Sequence, residues 1–554
     1  MAAIVSSNFR VVNANNFKED VANNAVYVSI GKPDVWSLTL ADTTDATAAD
    51  TPNDHFDDLG EARAQTIAVK KVLATDLSHI VPRHTWTSGT SYIEWDSNDG
   101  SIFDKKFYVI TAEFKVYKCI KAGGGASTQQ PTQTLTDPQS ESDGYIWKYM
   151  YTISVSDSEK FLTNSYMPVK TVSLGTEATV AVAQGAAGTK IVIKDVNSDI
   201  TVGMTCTGTG VGSSKTVSII NGSEIVLNAA TTAAVAADAI LNFSFATDAH
   251  AEANLAEADY AQYLNQKASR DSSTAAGIER IEVTAAGSGY TGDPTVRITG
   301  DGTGATASIT KSGNTIGSVT ITNKGTNYTY ADVVISGGSG SDGTARAVIT
   351  PKKGHGVDPK SDLGGFFMGL NVKLDGADGS GDITVDNDFR QIMLIKNPRD
   401  YNATPLAGAI STADTLKAMN KLDFTSSFTS GTNVTSFTID EVITGGTSLA
   451  KAYVVETDNT TNSGAGYVFY TQNSKTGYGN FTDGETVTGA ISGTIGTLEG
   501  TLATSGSPYG DNFVAGDLAA ELDRMSGEVL FLENRLPINR SATQIEDIKV
   551  ILEF

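Results

Sequence analysis

The chain reads IERIEVTAAGSGYTGDPTVRITGDGTGATA from Ile278 to Ala307 and IGSVTITNKGTNYTYADVVISGGSGSDGTARA from Ile316 to Ala347. The two stretches repeat one pattern, because Gly287 and Tyr290 recur as the same residue types 38 positions later. In each copy, alternating apolar and polar residues predict strands, and glycine-rich stretches predict the turns between them. Two copies are too few for a solenoid, so we predict two β units that pack as one module.

Two further stretches have a similar composition. Residues 174–245 are rich in Ala, Gly, Thr and Val, and Asn-Gly and Gly-Ser turns separate alternating segments, which predicts a small β-sandwich or meander. Residues 403–510 carry a weaker repeat, FTIDEVITGG from Phe437 and FTDGETVTGA from Phe481. We therefore predict three β-rich inserted modules, at 174–245, 278–352 and 403–510, with a helical linker at 246–277.

The remaining segments are richer in aromatic and bulky aliphatic residues. Ala25 to Ile30 and Lys106 to Ile120 alternate as strands do, and the spacing of apolar residues from about His55 to Leu77 predicts a helix. We expect residues 1–173, 353–402 and 511–554 to form one host fold. The predicted fold class is mainly β, a discontinuous β-sandwich-type host fold with a few short helices and three β-rich inserted modules.

The charge of the chain excludes some classes of partner. Acidic residues outnumber basic ones by 63 to 40, giving a net charge of −23, whereas nucleic acids and anionic membranes attract basic surfaces. The only two cysteines, Cys119 and Cys206, cannot make a disulfide-rich scaffold, and we expect both to be buried. No signal-peptide pattern and no apolar run of about 20 residues is visible, so we expect a soluble protein made in the cytoplasm.

No motif for catalysis or metal binding is complete. His84 could act as a general base, but spacing supplies no nucleophile or orienting carboxylate, so we predict a packed side chain. The glycine-rich stretches Gly300 to Ala305 and Gly337 to Gly343 lack the GK[ST] ending of a phosphate loop and predict hairpin turns. Residues Trp95 to Asp104 hint at a calcium loop, but Trp95 stands where the first ligand belongs, which predicts a polar turn. We assign no catalytic, cofactor-binding or metal-binding residue and expect no enzyme.

One aromatic stripe is a candidate contact surface. Trp147, Tyr149 and Tyr151 alternate along the segment YIWKYMYTI. Alternate residues of a strand share one face, and such a stripe is more often buried in a core than exposed at an interface. We therefore predict a buried strand face here.

Several short stretches follow the order seen in one family of phage proteins. They are SSNFR (Ser6 to Arg10), VYVSIGKPDVWS (Val26 to Ser37), HIVPRHTW (His79 to Trp86), VYKCI (Val116 to Ile120), SDGYIWKYMYTI (Ser142 to Ile153), FRQIMLIKNP (Phe389 to Pro398) and SGEVLFLENRLPINRSATQIEDIKVILEF (Ser526 to Phe554). Together they resemble the baseplate wedge protein, the gene product eight family, of T-even-type contractile-tailed bacteriophages, in a cyanophage-like form with β-rich insertions. In that family, the stretch corresponding to SSNFR is the opening strand.

The resemblance implies a non-catalytic structural subunit of the virion, placed in the tail baseplate and assembled in the host cytoplasm. It implies a homodimer within each wedge that contacts other baseplate wedge proteins, while the inserted modules could touch the host surface. No binding residue of the family can be matched to a position here. The alternative is a receptor- or carbohydrate-binding tail adhesin that uses the inserted modules, and a third class is a cell-wall hydrolase. A dimer would favour the wedge subunit, and a trimer would favour the adhesin.

Overall fold

The structure is a computed structural model that describes residues 5–37, 39–40, 44–273, 276–374, 387–402, 407–459, 465–500, 516–539 and 546–554. Strands hold 42% of the residues and helices 14%, which confirms the prediction of a mainly β protein. The chain forms two compact units. Unit 1 comprises described residues within 1–19, 77–369 and 551–554, and unit 2 comprises those within 20–76 and 370–550.

The described part of the chain contains six α-helices: α1 (Ser7–Asn23), α2 (Phe56–Ala64), α3 (Val155–Phe161), α4 (Asp248–Asn254), α5 (Glu257–Ser272) and α6 (Pro359–Leu363). The strands before residue 174 are β1 (Val26–Gly31), β2 (Thr66–Lys71), β3 (Leu77–Pro82), β4 (Tyr108–Ile110), β5 (Lys115–Lys121), β6 (Gln139–Ser140), β7 (Ile146–Thr152) and β8 (Tyr166–Pro168).

The strands from residue 174 to residue 352 are β9 (Thr176–Thr179), β10 (Lys190–Val192), β11 (Thr205–Thr207), β12 (Lys215–Asn221), β13 (Glu224–Leu227), β14 (Ile240–Ser244), β15 (Ile278–Ser288), β16 (Pro294–Gly300), β17 (Thr303–Ser312), β18 (Thr315–Thr326), β19 (Ala331–Gly337) and β20 (Ser341–Ile349). The later strands are β21 (Phe367–Leu374), β22 (Asp388–Lys396), β23 (Arg399–Asp400), β24 (Thr415–Lys417), β25 (Asn420–Ser430), β26 (Val442–Gly445), β27 (Lys451–Asp458), β28 (Gly466–Thr471), β29 (Thr486–Gly489), β30 (Ile495–Leu498), β31 (Asp517–Leu518), β32 (Leu522–Asp523), β33 (Glu528–Asn539) and β34 (Glu546–Glu553).

One expectation about local structure near the N-terminus is wrong. Residues Ser6 to Arg10 were expected in a strand, but most of them begin the helix α1, in which Val11, Ala14 and Val21 are buried. Their spacing of three and seven places them on one helix face.

The helix predicted from His55 to Leu77 ends early. The helix α2 stops at Ala64, and the next residues form β2, which lies between β1 and β24 in a sheet. Ile67 and Val69 are 0% and 1% exposed. Pairing on both edges and burial of β-branched residues outweigh the helical spacing of the apolar residues, because local propensity is weaker than tertiary context.

The central sheet of unit 2 joins segments that are far apart in the sequence. Its strand order is β24-β2-β1-β22-β33, and all its neighbours are antiparallel. Tyr27 of β1 lies opposite Ile395 of β22, and Leu394 of β22 lies opposite Phe531 of β33. Residues from the beginning, the middle and the end of the chain therefore share one sheet.

The seven-stranded sheet of unit 2 contains the weaker repeat. Its order is β28-β27-β26-β29-β30-β25-β31. The corresponding strands β26 and β29 pair with each other, with Thr444 opposite Thr488, its counterpart 44 positions later. Ile443 lies opposite Gly489 and Gly445 opposite Val487, so exchanging the two copies leaves this register unchanged. The two copies are therefore related by a local twofold axis.

Unit 1 contains three separate antiparallel sheets besides the pairing of β3 with β8. The first has the order β4-β5-β7-β6, and the second, from residues 174–245, has the order β10-β13-β12-β11-β14-β9. The third, from the 38-residue repeat, has the order β16-β19-β20-β15-β18-β17. In the linker region 246–277 the chain forms α4 and α5.

The sheet of the 38-residue repeat also has a local twofold axis. The first copy supplies β15 to β17 and the second supplies β18 to β20, and β15 pairs with its counterpart β18 while β16 pairs with β19. Two further pairs correspond in the same way, because β15 pairs with β20 and β18 pairs with β17. The two copies thus form one interlocked module, as predicted.

The repeated tyrosines hold this module together reciprocally. The backbone N–H of Gly343 donates to Tyr290 Oη at 3.2 Å, and the N–H of Ala305 donates to Tyr328 Oη at 3.3 Å. Each tyrosine ring also covers a glycine of the other copy, since a Cβ at Gly340 would lie 2.4 Å from the Tyr290 ring. Each tyrosine therefore needs a backbone without a side chain opposite it.

Replacing Gly340 by alanine is expected to destabilise this module by about 1–3 kcal/mol, because the added methyl group overlaps a buried ring. Hydrogen exchange of the β15 and β20 amides would measure the change. Gly292→Ala is the matched control, since its nearest neighbour lies at 3.4 Å from the added Cβ. Equal protection in the two variants would contradict the packing described.

The two β-rich stretches of unit 1 each enter and leave through strands that pair with each other. Thr176 lies opposite Phe243, and Ile278 lies opposite Ile349. Adjacent entry and exit points are what an inserted module needs, because it can then be added without moving its flanking segments. The division of the chain into seven segments itself stays a prediction.

Candidate interaction surface and buried polar groups

The strand β33 lies at one edge of the central sheet of unit 2. It pairs with β22, and no other described strand pairs with it. The helix α2 holds the residues at the start of β33 in place. Its Arg63 donates from Nη1 to Met525 O at 2.6 Å and from Nη2 to Gly527 O at 2.9 Å. An edge strand leaves backbone groups unpaired and is a natural place for contact with another chain.

Two bulges shape this edge. The register with β22 shifts between Val529 and Phe531, and again between Asn534 and Ile538. The extra residues include Leu530 and Leu536, which are 39% and 49% exposed. Bulges break regular pairing and redirect side chains, so this edge is suited to contact through its exposed leucines more than to simple strand addition.

A loop covers part of the same edge. Trp36 Nε1 donates to Arg535 O at 2.6 Å, and Asn534 Nδ2 donates to Asp50 O at 3.0 Å. The neighbouring charges Arg535 and Glu533 pair with each other at 2.7 Å. Leu530 and Leu536 are thus half-exposed apolar side chains on an edge that also carries polar groups, and apolar residues bordered by polar ones are the usual composition of a protein–protein contact. We call Leu530 and Leu536, with the bulges that carry them, the tail-edge surface.

Unit 2 also contains a buried ionic group. Asp34, with a side chain 1% exposed, lies 3.2 Å from Lys32 Nζ and also pairs with Lys475. Burial lowers the pKa of Lys32, while Asp34 opposes that shift. Lys475 Nζ donates to Val35 O at 3.1 Å as well. This group fixes the segment after β1 to a loop more than 400 residues away in sequence.

Two glutamates of the weaker repeat are equally enclosed. Glu485 accepts from the N–H groups of Thr447 (2.7 Å), Ser448 (2.9 Å) and Thr482 (2.6 Å), and from Ser448 Oγ (2.7 Å). Burial opposes ionisation of Glu485, but these hydrogen bonds leave its pKa below the usual value. Glu441 accepts the equivalent four hydrogen bonds, one from Thr438 of its own copy and three from Ile491 and Ser492 of the other copy.

The residues singled out from the sequence are packed side chains. His84 lies with its ring 5.0 Å from that of Tyr108, its buried Nε2 has no hydrogen-bond partner among the described residues, and burial lowers its pKa. Cys119 and Cys206 are both buried and free, as expected, and burial raises the pKa of each thiol. None of these groups lies in a described arrangement of nucleophile, base and orienting carboxylate.

The loop from Trp95 to Asp104 is a polar turn held by cations and its own backbone. Asp96 accepts from the N–H of Asn98 at 2.9 Å, and Arg346 pairs with its other oxygen. The glycine-rich stretch at 337–343 includes the turn between the paired strands β19 and β20, as predicted. The stretch at 300–305 joins β16 to β17, which are not neighbours in the sheet, so the prediction of a hairpin turn is wrong there. Across the described ranges, no cluster of three or more His, Cys, Asp or Glu side chains could hold a metal ion.

Two residues of the aromatic stripe, Trp147 and Tyr151, are buried as predicted, whereas the third, Tyr149, is only half-buried. Trp147 and Tyr151 are 0% exposed on β7, and Tyr145 stacks on Trp147 with ring centroids 5.6 Å apart. The alternate residue Met150 is also 0% exposed, so both faces of β7 are covered. The stripe thus belongs to the core of unit 1 and does not provide a contact surface.

No protein-family model matches the chain, and no curated protein matches it either. None of the helices in the described part of the chain combines the length and apolar character needed to cross a membrane.

The sequence did not reveal the tail-edge surface or the Asp34 group. Leu530 lies in the apolar run from Val529 to Leu532 and Leu536 in the segment RLPIN, and neither pattern shows which side chains are exposed. A search for isolated charged residues beside glycine and proline, as in GKPD from Gly31 to Asp34, could have drawn attention to Asp34.

Proposed function

We propose that this protein is a structural, non-enzymatic subunit of the baseplate wedge of a contractile-tailed bacteriophage. It joins neighbouring wedge proteins during assembly in the host cytoplasm and takes part in the rearrangement that accompanies contraction. One observation carries the proposal. Residues 26–37, 389–398 and 526–554, which resemble the wedge family, supply three adjacent strands of one sheet.

This convergence favours the proposal over a chance resemblance. About 350 residues separate the first stretch from the second, and about 130 separate the second from the third. Unrelated similarities would have no reason to meet as β1, β22 and β33. The two β-rich stretches of unit 1, which do not resemble the family, attach through paired entry and exit strands. A shared host sheet with added modules is the arrangement expected of a family member that has gained insertions.

We propose that the tail-edge surface forms the homodimer contact of the wedge subunit. A twofold contact uses the same patch on both copies, so one exposed strand edge can serve both partners. Light scattering after size exclusion should give twice the chain mass. A stable trimer would contradict this part of the proposal and favour the adhesin.

Replacing both Leu530 and Leu536 by aspartate should weaken self-association by at least about 30-fold, corresponding to about 2 kcal/mol, because four charges would face each other across a dehydrated contact. Concentration-dependent sedimentation would measure the effect. Leu449→Asp is the control, since Leu449 is 71% exposed in the same unit and lies outside the tail-edge surface. An unchanged dimer in the double variant would exclude this surface.

The alternative function, a carbohydrate-binding adhesin, has one feature in its favour. Unit 1 has a cleft of about 1030 Å³ whose lining includes Tyr330, Trp95, Asn98, Asn327 and Asp332. Tyr330 is 58% exposed. Aromatic faces with nearby amide and carboxylate groups are the means by which proteins bind sugar rings.

If this cleft binds host polysaccharide, Tyr330→Ala should lower the affinity at least about 10-fold, or about 1.4 kcal/mol. Titration calorimetry with purified cell-surface polysaccharide would measure it. The control is Tyr478→Ala, which removes a similarly exposed tyrosine from unit 2. Absence of binding by the unaltered protein would remove this alternative.

A further inference from the structure

A lysine and an aspartate face each other in the core of unit 1. Lys118 on β5 and Asp362 on α6 have side chains 0% and 2% exposed, and Lys118 Nζ lies 3.6 Å from Asp362 Oδ1. Lys118 Nζ also lies 3.8 Å from the centre of the Trp95 ring. It has no hydrogen-bond partner among the described residues. Burying an ammonium group that makes no hydrogen bond costs free energy, even when a carboxylate lies nearby.

The second oxygen of the carboxyl group has a different environment. The backbone N–H of Gly356 donates to Asp362 Oδ2 at 2.6 Å. Oδ1 therefore faces the amine while Oδ2 is held by a fixed donor. A donor placed on one oxygen polarises the carbonyl carbon and stabilises negative charge that develops on that oxygen.

Burial favours the uncharged forms of both groups. It lowers the pKa of Lys118 to about 8, and it raises the pKa of Asp362 although Lys118 opposes that shift. Transfer of one proton within the pair would give a neutral amine and a carboxylic acid. A neutral amine is a nucleophile, whereas an ammonium is not.

We propose that Lys118 and Asp362 condense to form an isopeptide bond inside unit 1. Lys118 Nζ attacks Asp362 Cγ, and the negative charge of the tetrahedral intermediate develops on Oδ2 beside the Gly356 N–H. The C–N bond forms, the bond from Cγ to Oδ1 breaks, and Oδ1 leaves as water with protons from the amine and the acid. The step needs no oxidant and no other reactant. Fixed proximity in a dry core replaces the activation that such a condensation needs in solution.

The bond would have a clear structural consequence. The chain between Lys118 and Asp362 includes both β-rich stretches of unit 1, at 174–245 and 278–352. A covalent link across this segment would keep β5 and α6 joined even if either stretch unfolded. A cross-link also restricts the unfolded chain and so stabilises the folded state.

Intact mass spectrometry of the unaltered, full-length protein tests the proposal. The expected mass is lower than the sequence mass by one water molecule. Proteolytic digestion should then give a branched peptide that contains both Lys118 and Asp362. The full sequence mass, with the two residues in separate unmodified peptides, would overturn the proposal. Loss of water located elsewhere, as at the succinimide-forming pair Asp99–Gly100 or Asp143–Gly144, would overturn it equally.

Variants make the assignment specific. Asp362→Ala and Lys118→Met should each have their full calculated mass. Lys148→Met is the matched control, because Lys148 is a second buried lysine of the same region whose Nζ bonds Ser269 Oγ at 2.8 Å. The Lys148→Met protein should still have a mass lower than its sequence mass by one water molecule. If Asp362→Ala or Lys118→Met is insoluble, the digest of the unaltered protein still decides.

Discussion

Replacing Asp34 by alanine is expected to lower the free energy of unfolding of unit 2 by about 3–5 kcal/mol. The carboxylate is the shared partner of two lysines, Lys32 and Lys475, whose side chains are 9% and 8% exposed. Its removal leaves two buried cations without their counter-charge. Each must then lose its proton or recover water, and either change requires the surrounding structure to open.

Hydrogen exchange of the β1 and β22 amides is the suitable measurement, since these strands report the opening of unit 2 itself. Asp34→Asn should be almost as harmful, because it keeps the volume and removes the charge. Glu533→Ala is the control, as its pair with Arg535 is exposed and should contribute less than about 1 kcal/mol. If Asp34→Ala lowers the free energy of unfolding no more than this control does, the buried ionic group contributes little to the stability of unit 2.

The second large effect is expected at the paired glutamates of the weaker repeat. Glu441 accepts from the N–H groups of Thr438 (2.7 Å), Ile491 (2.7 Å) and Ser492 (2.9 Å), and from Ser492 Oγ (2.6 Å). Each glutamate thus binds the turn of the other copy. Glu485→Gln places an amide N–H₂ against backbone donors and leaves at least one of them unpaired, which should cost about 2–3 kcal/mol.

Because the two sites are related by the local twofold axis, Glu441→Gln should cost about the same as Glu485→Gln. The control Glu528→Gln changes an exposed residue of the same unit and should stay within about 0.5 kcal/mol. Hydrogen exchange of the β26 and β29 amides would measure all three variants. Unequal effects at Glu441 and Glu485 would contradict the symmetry of their hydrogen bonds.

The pH dependence of this effect has a definite sign. The folded-state pKa of Glu485 is lowered, so the charged carboxylate contributes stability above the unfolded-state pKa. That contribution is lost as the pH falls through the lower, folded-state pKa. The difference between Glu485→Gln and the unaltered protein should therefore shrink on acidification from neutral pH.

The sequence predicts those features that depend on local patterns. Alternation and glycine spacing predict strands and hairpin turns, and the recurrence of Gly287 and Tyr290 predicts that two copies pack as one module. The spacing of residues in the repeat does not predict that Tyr290 of one copy covers Gly340 of the other. That contact depends on which strands pair. The repeat also places Glu441 and Glu485 at corresponding positions, but it does not show that each accepts hydrogen bonds from the other copy.

Features that depend on distant residues could not be predicted. The helix α2 ends at Ala64 because β1 and β24 pair with the residues that follow, and β24 lies more than 300 residues later. Likewise, Lys118 and Asp362 become neighbours only when β5 and α6 pack together. Two charged residues in unrelated segments give no sequence signal of such an approach.

Labelling intact virions with an antibody to this protein tests the central claim most directly. Particles of a contractile-tailed phage that encodes this chain would be imaged by electron microscopy, before and after tail contraction. A wedge subunit should be labelled at the baseplate in both states. Label restricted to the tips of the tail fibres, or absent from purified virions, would contradict the proposed function.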